Sequence, residues 1–473
     1  MISAFYHTPR LSAILALVGF GTALLQTMFF TTQPDLQGSV MLFDNFFKLG
    51  TIVCLISGIA VSLPAYQYLH TKSIGFTAEF FALVLSAVAA MIVMVAAGDL
   101  IIIFVNLEIV SIATYILCGV NRNSDRSTES ALKYFINGAI SSAVLLFGIA
   151  ILYGMFGTTS IREISQHATL AQSSSTALLT LLGATCLLAG FLFKLGVVPF
   201  HAWMPDVYQG APTIVTAFMS TGVRLVTGFV LVRLFAAIFA PLSHSFNTIL
   251  IVAAVGSMIV GNFSALLQDN VKRMLGYSSV AHAGYLLLGF IGLASNNPSC
   301  SEAAVYYLII YAVASLGMFV AVGLIEERNE TKLDYNDFRG LGLRYPWLGI
   351  ALSAFLFSLA GIPPFAGFFG KYEVFTVAVK NGYSGLAIFG AIMSLLSTYY
   401  YIRLVVNMFM MDPKGQSNTG VSFPPEAGIA IAVCCFFTIW LAIGPSSLFG
   451  VIPSADGLIT IISDAVMNMS GTH

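Results

Sequence analysis

Apolar runs long enough to cross a bilayer recur along this chain from end to end, and that repetition constrains the fold more than any single motif. A helix needs about 20 apolar residues to cross the hydrocarbon. By that ruler about thirteen spans are expected, at 11–31, 46–68, 77–97, 100–120, 131–155, 177–208, 212–238, 246–268, 273–294, 302–325, 347–379, 384–410 and 425–450. Two of them, 177–208 and 347–379, are too long for a simple crossing, and both contain prolines. Of the 473 residues 58% are hydrophobic and 9% charged, where a soluble domain carries about 25% charge. The fold class expected is an all-α polytopic membrane protein.

The charges orient it. Arg10, Lys72, Arg122 with Arg126, Lys272 with Arg273, the group Arg328, Lys332, Arg339 and Arg344, and Lys414 fall on one side of this alternation. The opposite side holds Arg162 and Lys380, with Lys48 near a span end. Cytoplasmic loops carry the excess of lysine and arginine, so the N-terminus is expected inside and the C-terminus outside.

The chain also repeats itself. Residues 129–148, ESALKYFINGAISSAVLLFG, resemble 302–321, EAAVYYLIIYAVASLGMFVA. The proline-broken stretch GFLFKLGVVPFHAWMPD at 190–206 has a counterpart in SLAGIPPFAGFFGKYEVF at 358–375, and VLVRLF with Arg233 matches YYIRLVV with Arg403. Five spans separate equivalent points, and an odd number turns the second copy upside down. Two inverted five-helix repeats, each with a discontinuous helix, are the architecture of secondary transporters and their relatives. The divisions expected are 1–76 for the N-terminal helices, 77–238 and 246–410 for the repeats, and 411–473 for a C-terminal helix and tail.

Several functions are excluded. A net charge of −1 offers no basic surface for nucleic acid. The six cysteines lie mostly in apolar runs without a CxxC, and neither GxGxxG nor a Walker loop occurs, so no metal, nucleotide or other cofactor is expected in this chain. The first apolar run is followed by many more and does not read as a cleavable signal.

What remains is chemistry inside the membrane. Glu108, Lys133, Lys194, Arg224 and Lys371 fall within spans, while Glu79, Glu373, Arg233 and Arg403 lie nearer span ends, where long side chains reach the headgroups. An ionisable group in hydrocarbon is costly, and a broken helix at that depth is tolerated only beside protein or water. The coincidence of Lys194 and Lys371 with such breaks points to proton relay, with a structural ion pair as the alternative. Glu108 is the expected partner of Lys194 or Lys133. His282, in SSVAHAGY, reads equally as a proton shuttle and as a satisfied core histidine; for His201 a structural hydrogen bond is expected.

Together FKLGVVPFHAWMPDVYQGAPT, GNFSALLQDNVKRMLGYSSVAHAGYLLLG and LAGIPPFAGFFGKYEVF resemble the antiporter-like membrane subunits of respiratory complex I, over about residues 42–410. The resemblance implies a chain of hydrated charged groups along the mid-membrane axis, driven by quinone reduction in neighbouring subunits, with Glu108, Lys133, Lys194 and Lys371 in relay positions. It implies partnership with other membrane subunits of complex I, among them further antiporter-like ones, and with lipid, water and protons, in a bacterial plasma membrane or a mitochondrial inner membrane. No NADH, flavin or iron–sulfur site is implied here. Two departures stand out. The most similar subunits usually have fourteen spans, so a helix ahead of Leu11 is absent by this count; and the position of Arg224 is usually lysine. Arginine does not deprotonate in proteins, so Arg224 reads as an electrostatic gate beside water. The competing readings are a subunit of a multisubunit cation/proton antiporter, which shares the fold, and a scaffold whose charges are all tightly paired.

Overall fold

A computed structural model describes residues 9–30, 40–171, 177–239, 243–291, 298–326, 333–413, 424–443, 447–448 and 452–469. The first five helices are α1 Pro9–Phe29, α2 Asn45–Thr71, α3 Thr77–Ala96, α4 Leu100–Cys118 and α5 Asp125–Phe156. A short amphipathic α6, Ile161–Ala171, leads to α7 Ala177–Leu195 and α8 Trp203–Gly210, the two halves of the long 177–208 stretch. Then come α9 Thr213–Phe239, α10 Ser243–Leu266, α11 Val271–Phe290 and α12 Pro298–Ile325. A single helical turn, α13 Leu341–Arg344, precedes the second broken pair, α14 Pro346–Ala360 and α15 Ala366–Lys380. The chain closes with α16 Ser384–Met410, α17 Pro425–Ile443, a two-residue β-ladder (Ser447–Leu448 with Ile452–Pro453) and α18 Ala455–Met469.

Eleven of the described helices are long and apolar enough to cross a membrane. The two other expected crossings are α11, whose 20 residues include Lys272, Arg273 and His282 and are therefore too polar for that measure, and the α14–α15 pair, split by its prolines. Thirteen positions thus carry helix, as the apolar runs predict. Two features escaped the hydropathy pattern. The stretch 212–238, expected as a plain helix, contains π-helical turns at Met219–Val223 and Phe235–Phe239. The tail carries α18, which packs on α2 and α12.

The bundle's centre is α9, 89% of whose apolar window is buried, followed by α12 at 78%; α16, at 28%, is peripheral. Flank helices show the complementary face. Ile101, Val105, Ile109, Ile112 and Ile116 form an exposed stripe on α4 at helical spacing, as suits lipid or a neighbouring membrane chain.

Contacts between loops sort the helix ends into two groups. Met41 bridges Ala97, Asp99 bridges Ser160, and Arg233 pairs with Asp44 at 3.1 Å, all at the end expected outside. Asn270 bridges Asp334, and Arg273 and Lys133 meet Asp206, at the lysine- and arginine-rich end. The two broken helices run oppositely between these ends. The pair α7–α8 finishes beside Arg273, whereas α15 finishes where Asn381 bonds Cys300 at the start of α12. This is the inversion the odd span count predicts.

Candidate functional site

Both breaks begin at a glycine with positive φ, Gly196 (+70°) and Gly361 (+83°), a conformation glycine adopts without steric cost, and both contain a cis X–Pro bond, Val198–Pro199 and Pro363–Pro364. Each break leaves carbonyls without their helical partners. Side-chain cations take them up.

At the first break Lys194 occupies the last turn of α7 and turns towards α4. Its Nζ donates to Ser111 Oγ at 2.7 Å and to Tyr115 OH at 3.2 Å, and it lies 5.3 and 5.7 Å from the Tyr115 and Tyr134 ring centroids. Ser111 and Tyr115 stand one turn apart on α4, so a single helix face supplies both oxygens. Gly138 makes room for them: a Cβ there would fall on the Tyr115 hydroxyl. Beside the break a cavity of about 210 Å³ is lined by Ser141, Phe193, Pro199 and Trp203 among others.

The carbonyl of Leu195, next to that lysine, accepts from Arg224 Nη2 at 3.2 Å. The same nitrogen donates to Ser279 O at 2.5 Å, and the guanidinium lies 4.6 Å from the Tyr311 ring centroid. Arg224 Nη1 is buried with no partner among the described residues. Ser279 Oγ and Tyr311 OH share a hydrogen bond of 2.6 Å. One turn along α11, His282 lies between two phenols, Tyr307 at 2.6 Å from Nδ1 and Tyr401 at 3.2 Å from Nε2. The Tyr401 hydroxyl also meets Ser278.

Lys371 closes the line. It sits in α15, past the second break, and reaches back across it. Its Nζ donates to Ala360 O at 2.8 Å and to Ser394 Oγ at 2.7 Å, 5.0 Å from the Tyr285 ring centroid. Lys194, Arg224, His282 and Lys371 are each 5% exposed or less. A contact path therefore runs from Lys194 through Leu195, Arg224, Ser279 with Tyr311, His282 and Tyr285 to Lys371.

Two expectations need correction. Glu108 makes no direct ion pair with either lysine and acts on Lys194 only through space: its carboxylate accepts a hydrogen bond from Ser142 of α5. Glu108 shares the face of α4 that carries Ser111 and Tyr115, and it is those two hydroxyls that reach Lys194. Lys133 stays off the line as well. Its side chain is 43% exposed and pairs with Glu129 at 2.7 Å and Asp206 at 3.0 Å. Arg273 completes that cluster, donating to Asp206 at 2.5 Å and to Gln209 at 3.0 Å. Burial pushes the Asp206 carboxyl up, but the hydrogen bonds from Lys133 and Arg273 outweigh it and hold the group below the usual carboxylate range. His201 makes a structural hydrogen bond to the backbone of Pro199, as expected, while its Nδ1 has no partner among the described residues.

The sequence reading missed the hydroxyls: Ser111, Tyr115, Ser279, Tyr307, Tyr311 and Tyr401. A signal existed for some of them, since Tyr307 and Tyr311 are one turn apart on α12 and present two phenols to one neighbour.

The family model described as NADH:quinone oxidoreductase/Mrp antiporter, TM, matches residues 97–397, well over half the chain and both breaks. The chain belongs to this family. Subunit N 1 of the NADH-quinone oxidoreductase of Chloroherpeton thalassium is 38% identical over 451 residues, 95% of this chain and 93% of that protein. Subunit N of Trichlorobacter lovleyi is 39% identical over 444 residues, 93% and 88% of the two chains. A chain of Thermus thermophilus respiratory complex I superposes with a TM-score of 0.78 at 29% identity over 93% of both chains. A chain of the Mrp complex from Dietzia sp. DQ12-45-1b gives 0.83 at 21% identity, covering 99% of this chain and 94% of that one, a likeness of fold. The chain is thus an integral membrane protein of the antiporter-like type.

Proposed function

We propose that this chain is the proton-translocating subunit N of an NADH–quinone oxidoreductase in a bacterial inner membrane, coupling quinone reduction elsewhere in the complex to proton transfer along the Lys194–Lys371 line. The observation that carries this reading is that both lysines sit at helix breaks with neutral oxygens, and no carboxylate, as their hydrogen-bond partners. A lysine locked in an ion pair is held protonated, because the opposite charge favours its charged form. One solvated by hydroxyls and a carbonyl is left free to exchange its proton.

The parts differ in role. Lys194 and Lys371 bind and release the proton at Nζ. Arg224 places a fixed positive charge between the two lysines, while water and the hydroxyls of Ser279 and Tyr311 carry the proton past it. His282 joins the two halves through the phenols of Tyr307 and Tyr401. Glu108, beside the exposed stripe of α4, acts on Lys194 at a distance of one helical turn along that helix, through the Ser111 side. Lys133 tunes the line from the bundle's end through Asp206.

No redox step is assigned to this chain. The partners expected are the other membrane subunits of the same complex, further antiporter-like chains among them, with lipid around and no nucleic acid. The cation/proton antiporter reading shares the fold but has weaker support in identity, 21% against 38–39%. Purification of the tagged chain in mild detergent decides between them. Co-purifying iron–sulfur and quinone-reducing subunits are expected; cation-antiporter subunits in their place would contradict the proposal.

A further inference from the structure

The internal repeat matches the surroundings of the two buried lysines as well as the lysines themselves. With EIVSIATYILCG at 108–119 set against SSVAHAGYLLLG at 278–289, Tyr115 of α4 falls on Tyr285 of α11. Tyr115 gives Lys194 both its ring, 5.3 Å from Nζ to the centroid, and its hydroxyl at 3.2 Å. Tyr285 gives Lys371 its ring, at 5.0 Å. Its hydroxyl is engaged elsewhere: Asn262 of α10 donates to it from Nδ2 at 3.1 Å.

Asn262 has no exposed surface, and at its place in a span an apolar side chain would pack without any polar cost. Its amide is fully used. Nδ2 donates also to Met258 O at 2.8 Å, and Oδ1 accepts from Tyr400 OH at 3.0 Å. Here α10 and α11 approach backbone to backbone. A Cβ on Gly261 would strike the backbone of Ala281, and one on Gly284 would lie 2.8 Å from the Ala254 carbonyl oxygen. The Tyr285 ring meets those of His282 and Phe375 at near right angles, with centroids 5.8 and 6.3 Å apart. The phenol is thus fixed at both ends, and its ring is what it presents to the ammonium.

We propose that Tyr285 is the cation seat of Lys371, its π-face stabilising the protonated ammonium where a carboxylate would otherwise stand, and that Asn262 is the positioning residue that keeps the ring there. The seat has a function only if Lys371 relays protons, so it rests on the function proposed for the line. An aromatic ring attracts a desolvated ammonium within about 6 Å of its centroid. It does so without the full opposite charge that locks a lysine in its protonated form. The other groups at Lys371 are Ala360 O of α14, Ser394 of α16, His282 of α11 and Tyr307 of α12, which packs on the adjoining Gly370. Glu373, on the same helix, answers to Lys380 and Glu302. The remaining helix packed on α15 is α17, with Cys434 and Cys435 along it and Glu426 in its first turn.

The test is the pH profile of proton pumping, read by acridine-dye quenching in vesicles that carry the whole complex at matched content. In Tyr285→Leu the ring is lost, and the alkaline limb should move down by about one pH unit because the charged lysine is less stabilised. Tyr285→Phe keeps the ring and should move the limb less than about half as far. Asn262→Leu loosens the ring and should move it in the same direction as Tyr285→Leu. Combined with Tyr285→Leu it should add nothing, as expected of a residue that acts through the other. Side chains that merely fill the core would lower pumping at every pH and leave the limb in place. That result in Tyr285→Leu, or in Asn262→Leu should the first variant not assemble, would overturn the seat. Additive shifts in the double variant would remove Asn262 as the positioning residue. Lys371→Ala tells the two levels apart. Lost pumping there, with an unmoved limb in Tyr285→Leu, means that the relay stands and the seat fails; normal pumping in assembled Lys371→Ala overturns both.

Discussion

The two helix breaks share their glycine, their cis proline and their buried lysine, yet they distribute the work differently. At the first, Lys194 precedes the break and points away from it to Ser111 and Tyr115, while Arg224 takes up the free carbonyl of Leu195. At the second, Lys371 follows the break and takes up the free carbonyl of Ala360 itself, with Ser394 beside it. The first break therefore splits two tasks between a permanent cation and a titratable one. The second gives both to one lysine. A lysine that caps a helix break is fixed in place by the break, whereas Lys194 is held by side chains of another helix and can follow that helix if it moves.

This difference fixes the expected order of effects. Arg224→Ala should be severe, since it strips the donor from Leu195 and Ser279 carbonyls and removes the charge between the lysines; at least roughly tenfold less pumping is expected at matched complex content. Arg224→Lys keeps a cation and donors and should retain much of the activity. Equal losses in the two variants would show that the guanidinium shape, rather than its charge, is what the first break requires.

His282→Ala comes next. It leaves Tyr307 and Tyr401 without their shared partner, and a several-fold loss in pumping is expected. Tyr307→Phe should lose only about twofold, because the Tyr401 contact remains. A Tyr307→Phe variant as impaired as His282→Ala would mean that the histidine works through that one phenol.

Ser111→Ala and Ser394→Ala sharpen the contrast between the breaks. Each removes one of two oxygens from a buried lysine. Lys371 keeps the backbone carbonyl of Ala360, while Lys194 keeps only a phenol at 3.2 Å, so the first substitution should cost about two to three times more activity than the second. The reverse order would undo the distinction drawn between them.

The smallest effect is expected at the bundle's end. Lys133→Ala should change pumping by less than about twofold, since the side chain is half-exposed and its partner Asp206 keeps Arg273. The pH dependence of this cluster follows from the depressed Asp206 carboxyl. Its stabilising contribution is fully present above the unfolded-state value and is lost as pH falls through the lower folded value, so its contribution to thermal stability should stay constant across neutral and alkaline pH. A stability loss in Asp206→Asn that grows between pH 7 and 9 would contradict this assignment.

How much of this was legible in the sequence follows from what periodicity encodes. Apolar length located the spans, and the coincidence of lysine, glycine and proline located both breaks, because each residue type there is costly or structurally demanding on its own. Their opposite directions followed from an odd span count. Partner choice was not legible. Glu108 looked like the natural counter-charge for Lys194, and it stands on the same face of α4 as Ser111 and Tyr115, but which group on that face reaches the lysine depends on its height along the helix, which spacing alone does not give. The tyrosines around His282 come from α12 and α16, far apart in the chain; the spacing of Tyr307 and Tyr311 marks a shared face but not the neighbour it meets. The π-turn before Arg224 is a backbone feature of an ordinary-looking stretch, MSTGV.

The central claim is that the lysines at the breaks carry protons and do not merely hold helices together. It is tested most directly by acridine-dye quenching in vesicles that contain Lys194→Ala in the fully assembled complex, with quinone reduction followed in parallel. The account predicts normal assembly, since an alanine leaves no charge stranded in the core, with proton pumping and the coupled quinone reduction falling at least roughly tenfold. Pumping close to that of the unaltered complex, at equal content and across pH 6 to 9, would contradict it.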